Sequence, residues 1–439
     1  MQTIDTLIFP RWIVPVEPEG TVLEGIALAI DQGRILDLLP ADVAPLRYAA
    51  RQSLQLPTHC LLPGLVNAHT HLAMNLLRGF ADDLPLMRWL QEHIWPTEAR
   101  WVSESFVHDG TQLAAAELIR GGVTCVNDMY FFPDVSARAL AAAGLRASIG
   151  MIVIEFPSAW ATDAEDYLAK GLVLRESLRH DPLLSFCFAP HAPYTVSAAT
   201  LTRIRALADE LDAPIHMHVH ETAGEITQFE QAHGCRPLQQ LDRLGLLSPA
   251  LMAVHMTQLD DAEIARLADT GVSVVHCPES NLKLASGFCP TARLDAAGVN
   301  VALGTDGAAS NNDLDMFSEM RSAALLAKAV ANDASAVPAH QALRMATLNG
   351  ARAIGLGAQT GSLVPGKWAD VIAVDLGDLE SQPLFNPISQ IVYASGRHQV
   401  SDVWVGGRQL LRHRELTTLD REMLLARAEH WRTQIATAH

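Results

Sequence analysis

Long apolar runs are missing from this chain of 439 residues: none approaches the roughly 18 that a membrane-spanning helix needs. Basic residues are scarce as well. Lys and Arg number 32 against 49 Asp and Glu, a formal net charge of −17. That balance argues against nucleic acid or an anionic membrane as the main partner, since both demand clustered cations. No CxxC pair occurs. The six cysteines (Cys60, Cys125, Cys187, Cys235, Cys277 and Cys289) lie far apart, which reads as reduced, buried thiols in a cytoplasmic protein and not as a disulfide framework. The opening MQTIDTLIF has no basic leader and meets Arg11 before any long apolar stretch, so no signal peptide is expected. Charge is sparse, at 18% of residues, whereas 49% are apolar. A chain of that make-up has a large core to bury and is not generally disordered.

The length fits two or three domains, or one large α/β barrel with an accessory domain. The first segment is β-like: IDTLIF, TVLEGIALAI and GRILDLL are short strand runs split by turns at Pro18-Glu19-Gly20 and Asp31-Gln32-Gly33. From about Leu61 the texture changes. Eight apolar strand-like runs then alternate with helical stretches: LLPGLVNAHTH, TCVNDMY, RASIGMIVI, LLSFCFAPH, PIHMHVHET, LMAVHMTQL, VSVVHCPES and NVALGTDG. Between them, Leu201, Ile204, Leu207, Ala208 and Leu211 fall on one helical face. Another helix is expected to start at Asp260, with Glu263 three residues on, and to stop at Gly271. Near-continuous apolar strands alternating with helices require a parallel sheet covered by those helices. A closed (β/α)₈ barrel satisfies the count, and a doubly wound open sheet is the alternative. β texture returns after Gly361 in GSLVPGKWADVIAVDL and VSDVWVGGRQLL, and LDREMLLARAEHWRTQIATAH reads as a terminal helix. The expected organisation is a small β-sandwich built from residues 1–58 and 361–439, with the barrel inserted at 59–360.

Four of the expected strands end in metal-ligand residue types. The first ends in His69-Thr70-His71, whose imidazoles share a side because strand residues i and i+2 do. The fifth carries His216, His218 and His220, which strict pleating puts on one face; only position at the strand end favours His218. The sixth contains His255 and the eighth ends at Asp306. From His71 to His218 is 147 residues, about 37 for each of four βα units, and His255 lies 37 further on. A barrel gathers the C-terminal ends of its strands around one mouth, so residues this distant converge. Three imidazoles and a carboxylate (His69, His71, His218 and Asp306) suit one divalent transition metal ion per subunit, Zn²⁺ foremost, with Fe²⁺, Mn²⁺ and Ni²⁺ open to the same ligands. Such an ion lowers the pKa of water from ~15.7 to near 7. His276 in VVHCPES has no independent claim to a role.

The segments PGLVNAHTHLAMNLLRG, IHMHVHET, ESNLKL and LGTDGAASNNDLDMFSEMR, with GSLVPGKWADVIAVD near the end, resemble the amidohydrolase superfamily. Within it the chain is most similar to the 5-methylthioadenosine/S-adenosylhomocysteine deaminases, over nearly its whole length. The resemblance implies an α/β protein with a TIM-like barrel and a hydrolytic deaminase acting on purine nucleosides. It implies that Glu221 shuttles protons onto a ring nitrogen, that His255 orients the reacting water, and that Asp306 both ligates and takes a proton. It further implies that Trp89 and Glu98, in MRWLQEHIWPTEAR, form an aromatic wall and a carboxylate for the ribose hydroxyls, and that His191 in APHAPYT touches substrate. A homo-oligomer (dimer or tetramer) is the family's habit.

One departure stands out. Members that take S-adenosylhomocysteine use arginines after the third strand for its carboxylate. Met151 stands where the first would align, and no Lys or Arg occurs between Arg146 and Lys170. Met151, Ile152 and Phe156 are expected to suit a methylthio group instead. Two other readings remain open at this point: an amidohydrolase for another heteroaromatic ring (pterin, free purine base or s-triazine), and a catalytically silent scaffold.

Overall fold

The computed structural model describes residues 1–437. Seventeen strands run in chain order among these residues. Five come first: β1 Gln2–Ile13, β2 Leu23–Glu24, β3 Ile26–Asp31, β4 Arg34–Pro40 and β5 Tyr48–Pro63. Eight follow with helices between them: β6 Leu65–Thr70, β7 Val123–Met129, β8 Arg146–Val153, β9 Leu184–Pro190, β10 Ile215–Val219, β11 Leu251–His255, β12 Ser273–His276 and β13 Val301–Leu303. The last four are β14 Val371–Asp375, β15 Val400–Val405, β16 Arg408–Arg412 and β17 Glu415–Leu416.

Strands β6 to β13 pair in sequence order as one parallel sheet. Every residue of β7 and β8 is buried, as strands covered on both faces require. The ends of this sheet meet. Asn67 of β6 donates from Nδ2 to Thr305 Oγ1 at 2.8 Å and accepts from the Thr305 N–H at 3.0 Å. The Asp306 N–H donates to the His69 carbonyl at 3.0 Å. The eight expected apolar runs thus form a barrel, and the open-sheet alternative falls.

Both chain ends build the second sheet, in the order β17-β16-β15-β14-β5-β1-β3-β4 with β2 on β1. β5 lies parallel to β1 and antiparallel to β14. It runs past residue 58, since Pro63 still pairs with Val371, and the barrel begins two residues later. A buried ion pair ties sheet to barrel: Arg146 Nε donates to Asp370 Oδ2 at 2.7 Å and Nη2 to Oδ1 at 3.1 Å. Thr360 Oγ1 and the Gly406 N–H complete the carboxylate's partners, at 2.9 and 2.7 Å.

Local signals act as expected. Asp260 and Glu263 form a reciprocal cap, and Gly271 ends that helix at φ 73°. Leu201, Ile204 and Ala208 are the buried face of helix Ala198–Leu211. The terminal helix spans Arg421–Ala436; Ala438 and His439, at the end of the expected helix, lie outside the described residues. No helix among the described residues is long and apolar enough to cross a membrane.

Candidate active site at the barrel mouth

The first barrel strand delivers His69 and His71, and hydrogen bonds decide which ring nitrogen each imidazole presents. A carbonyl can only accept, so His71 Nδ1 carries hydrogen and donates to Met129 O at 2.6 Å. His218 Nδ1 likewise donates to His191 O at 2.7 Å. Both rings therefore turn Nε2 inward, and that of His218, whose imidazole burial keeps neutral, is bare. His69 Nε2 lies 3.3 Å from His218 Nε2, and Asp306 Oδ1 lies 3.2 Å from Nε2 of both His69 and His71. A tetrahedral zinc with ligands at about 2.0–2.1 Å has edges of roughly 3.3 Å, so these separations match its coordination shell. His255 shares this cluster, with donor atoms within 4.8 Å of those of His69 and His218.

Electrostatics agree with a cation at this point. Burial holds His69 down to about 4 and His218 well below the ordinary histidine range, so both rings are neutral. His71 is pushed down by burial too, yet the Asp306 carboxylate raises it to about 9. Asp306, despite burial, is held well below the usual carboxylate range by His69 and His71. Acceptor atoms crowded this closely demand positive charge between them. The donor set fits a divalent transition metal.

Asp306 is fixed on every side. Its φ of 63° turns the chain sharply at the strand end, its Oδ1 accepts from the Gly307 N–H at 2.8 Å, and Oδ2 accepts from Ser280 Oγ at 2.7 Å and Ser310 Oγ at 2.9 Å. His255 and Met256 are also left-handed, at φ 75° and 49°; strain of this kind clusters at functional sites. His255 Nδ1 donates to Asn281 Oδ1 at 2.9 Å, which leaves Nε2 facing Glu221 Oε2 at 3.8 Å. Burial raises the pKa of Glu221.

The fifth strand's three histidines separate cleanly. His216 lies beneath His69, with Nε2 2.8 Å from His69 Nδ1. His218 joins the cluster. β10 ends at Val219, and His220 at φ 54° swings away so that its Nε2 accepts from the Leu238 N–H at 3.1 Å.

Above the cluster opens a cavity of about 550 Å³, lined by Trp89, Glu98, His191 and Glu221 together with His71, His218, His255 and Asp306. Burial raises Glu98 to about 7, although the Tyr130 hydroxyl donates to its Oε1 at 2.7 Å. His191 is lowered to about 3 by burial and contacts Thr195 Oγ1 at 3.0 Å through Nδ1. Met151 is the exception among the expected site residues. Its side chain packs over Gly171 on the helix behind β8, one pleat out of phase with Ile152, which lines the cavity with Ile154 and Phe156. Met151 is therefore a core residue. Tyr130, Ser280, Asn281 and Ser310 join the site without having been expected there. Three of them sit in the segments ESNLKL and GTDGAAS, where small polar residues beside a ligand were the available signal.

Comparison with known proteins agrees with this geometry. The amidohydrolase family matches residues 60–410. A 5-methylthioadenosine/S-adenosylhomocysteine deaminase of Teredinibacter turnerae is 52% identical, covering 99% of this chain and 98% of its own. One of the same name from Saccharophagus degradans is 49% identical, covering 98% and 97%. The crystal structure of an adenosine deaminase from Xanthomonas campestris with bound zinc superposes with a TM-score of 0.98 at 56% identity, covering 99% of both chains. Atrazine chlorohydrolase TrzN from Arthrobacter aurescens, at 21% identity over 97% of this chain and 99% of its own, shares the fold with a TM-score of 0.90. With a match over most of its length and relatives this similar, the chain belongs to the amidohydrolase family.

Proposed function

We propose that this protein is a metal-dependent hydrolytic deaminase that converts 5′-methylthioadenosine, and also adenosine, to the inosine derivative and ammonia. The observation that carries the reading is the meeting of three Nε2 atoms and the Asp306 carboxylate at the floor of a cavity that also presents Glu221 and Glu98. His69, His71, His218 and Asp306 would hold one divalent ion, Zn²⁺ foremost. When bound, that ion supplies Lewis acidity that makes hydroxide available near neutral pH.

The chain's own residues account for the remaining steps. Asp306 accepts the proton that water loses as it attacks C6 of the purine, while Ser280 and Ser310 steady its Oδ2. Glu221, whose burial favours the protonated form, donates to N1 and stabilises the tetrahedral adduct. His255, its Nδ1 engaged by Asn281, aligns the attacking water. Proton transfer to the exocyclic amine then expels ammonia. Trp89 walls the purine, His191 touches substrate, and Glu98 accepts hydrogen bonds from the ribose hydroxyls.

The 5′ group decides among nucleosides. Ile152, Ile154 and Phe156 line the cavity, and no Lys or Arg does so among the described residues. A carboxylate brought there without a cationic partner is costly, whereas a methylthio group is not. 5′-Methylthioadenosine and adenosine are therefore favoured over S-adenosylhomocysteine. A homo-oligomer at work in the cytoplasm completes the proposal, and sedimentation and cell fractionation check it. Ammonia release across 5′-methylthioadenosine, adenosine, S-adenosylhomocysteine, adenine, a pterin and an s-triazine tests the function. Comparable or higher kcat/KM for S-adenosylhomocysteine refutes the 5′ preference, and turnover of only a non-nucleoside ring refutes the deaminase assignment itself.

A further inference from the structure

Three consecutive residues at the end of the second barrel strand hold both ends of the cavity. Asp128 Oδ1 accepts from the Leu72 N–H at 2.8 Å, and the Met129 carbonyl accepts from His71 at 2.6 Å. Those two bonds fix the imidazole end. The next residue, Tyr130, reaches the other end, where its hydroxyl donates to Glu98 Oε1 at 2.7 Å. Glu98 itself rides on helix Trp95–Trp101, in the excursion between the first and second barrel strands and outside the barrel's β-ladder. Tyr130 is 5% exposed and packs in one apolar cluster with Trp89 and Ile94 of that excursion, so its phenol cannot swing.

A glutamate has several rotamers, and a rigid donor selects one. With Oε1 engaged by Tyr130, Oε2 remains to accept from a ligand. We propose that Tyr130 is a specificity-determining positioning residue: through Glu98 it sets the distance between the imidazole cluster and the ribose-reading carboxylate. It thereby lets the enzyme favour nucleosides that carry a 2′,3′-diol over those that lack one. The inference rests on the reading of Glu98 as the ribose contact.

Steady-state kinetics on adenosine and 2′,3′-dideoxyadenosine, for the wild type, Tyr130→Phe, Glu98→Gln and the double variant, test it. Tyr130→Phe removes one oxygen and keeps the packed ring. Its ratio of kcat/KM on adenosine to that on 2′,3′-dideoxyadenosine falls about tenfold, the scale of a hydrogen bond to a charged group. The loss is expected in KM more than in kcat. In the Glu98→Gln background, adding Tyr130→Phe leaves the ratio where Glu98→Gln put it, because the two residues act as one unit. An equal loss on both nucleosides for Tyr130→Phe, while Glu98→Gln does lower the ratio, overturns the inference alone and makes the phenol a packing residue. If Glu98→Gln fails to change the ratio, the ribose reading falls and takes this inference with it.

Discussion

Asn281 Oδ1 accepts from His255 Nδ1 at 2.9 Å, and that one bond fixes which nitrogen His255 turns toward Glu221. The amide is held from its other side, since its Nδ2 lies 3.5 Å from His276 Nδ1. His276, without a claim of its own in the sequence, thus braces a residue that braces a site residue.

Replacing Asn281 with Leu frees the imidazole to change tautomer. Loss of such an orienting partner costs about 10–100-fold in activity. The expected result is a kcat lowered by that factor, together with a stability loss of about 1–3 kcal/mol for the buried donor left unpaired. Restoration of the rate by Asn281→Gln would signal that only the amide chemistry matters.

Glu221→Gln keeps the shape and removes the proton. Positioned proton transfer contributes about 10²–10⁴ in rate, so kcat falls by that amount while metal content, measured by elemental analysis, stays at one ion per chain. Asp306→Ala and His69→Ala lose the ion as well as the rate. Full activity of Glu221→Gln would remove this residue from the proton path.

Acidity should weaken binding of ribosides in a defined window. Burial raises the Glu98 carboxyl to about 7, above the ordinary glutamate value of about 4.3. On the proposed reading of Glu98 as the ribose contact, above 7 it is ionised and accepts from the diol; as pH falls through 7 it takes up a proton and accepts less well. With adenosine as substrate, KM therefore rises below pH 7, by at most about tenfold per pH unit for one titrating group. With the dideoxy nucleoside, which offers no diol, KM stays flat over the same range.

Arg146 and Asp370 are both buried, with side-chain exposures of 4% and 0%. Arg146→Ala strands the carboxylate between barrel and sheet, and breaking a buried pair from one side costs about 3–5 kcal/mol. Urea denaturation measures this loss. The paired change Arg146→Met with Asp370→Leu is expected to cost much less, because no lone charge is left inside.

Periodicity and capping make the barrel legible. The eight apolar runs, the Asp260–Glu263 cap and the Gly271 stop all reflect local physics that the sequence carries openly. Pleating alone cannot separate His216, His218 and His220, because the separation comes from where β10 ends and from the left-handed turn at His220. Met151 departs from expectation for a related reason: one residue of phase decides between the cavity wall and the helix behind it. Tyr130 is invisible in the sequence, since a tyrosine gains its meaning only from a glutamate 32 residues earlier that the fold brings within 2.7 Å.

His69 and Asp306 belong to the first and last staves of the cylinder, and a backbone hydrogen bond already joins them there. On the proposed ligand set, one cation bridges that same join like a clasp. Metal binding and opening of the cylinder at that join are then thermodynamically linked, so exchange of the Asp306 amide hydrogen with solvent will slow as the metal site fills, without any substrate being turned over.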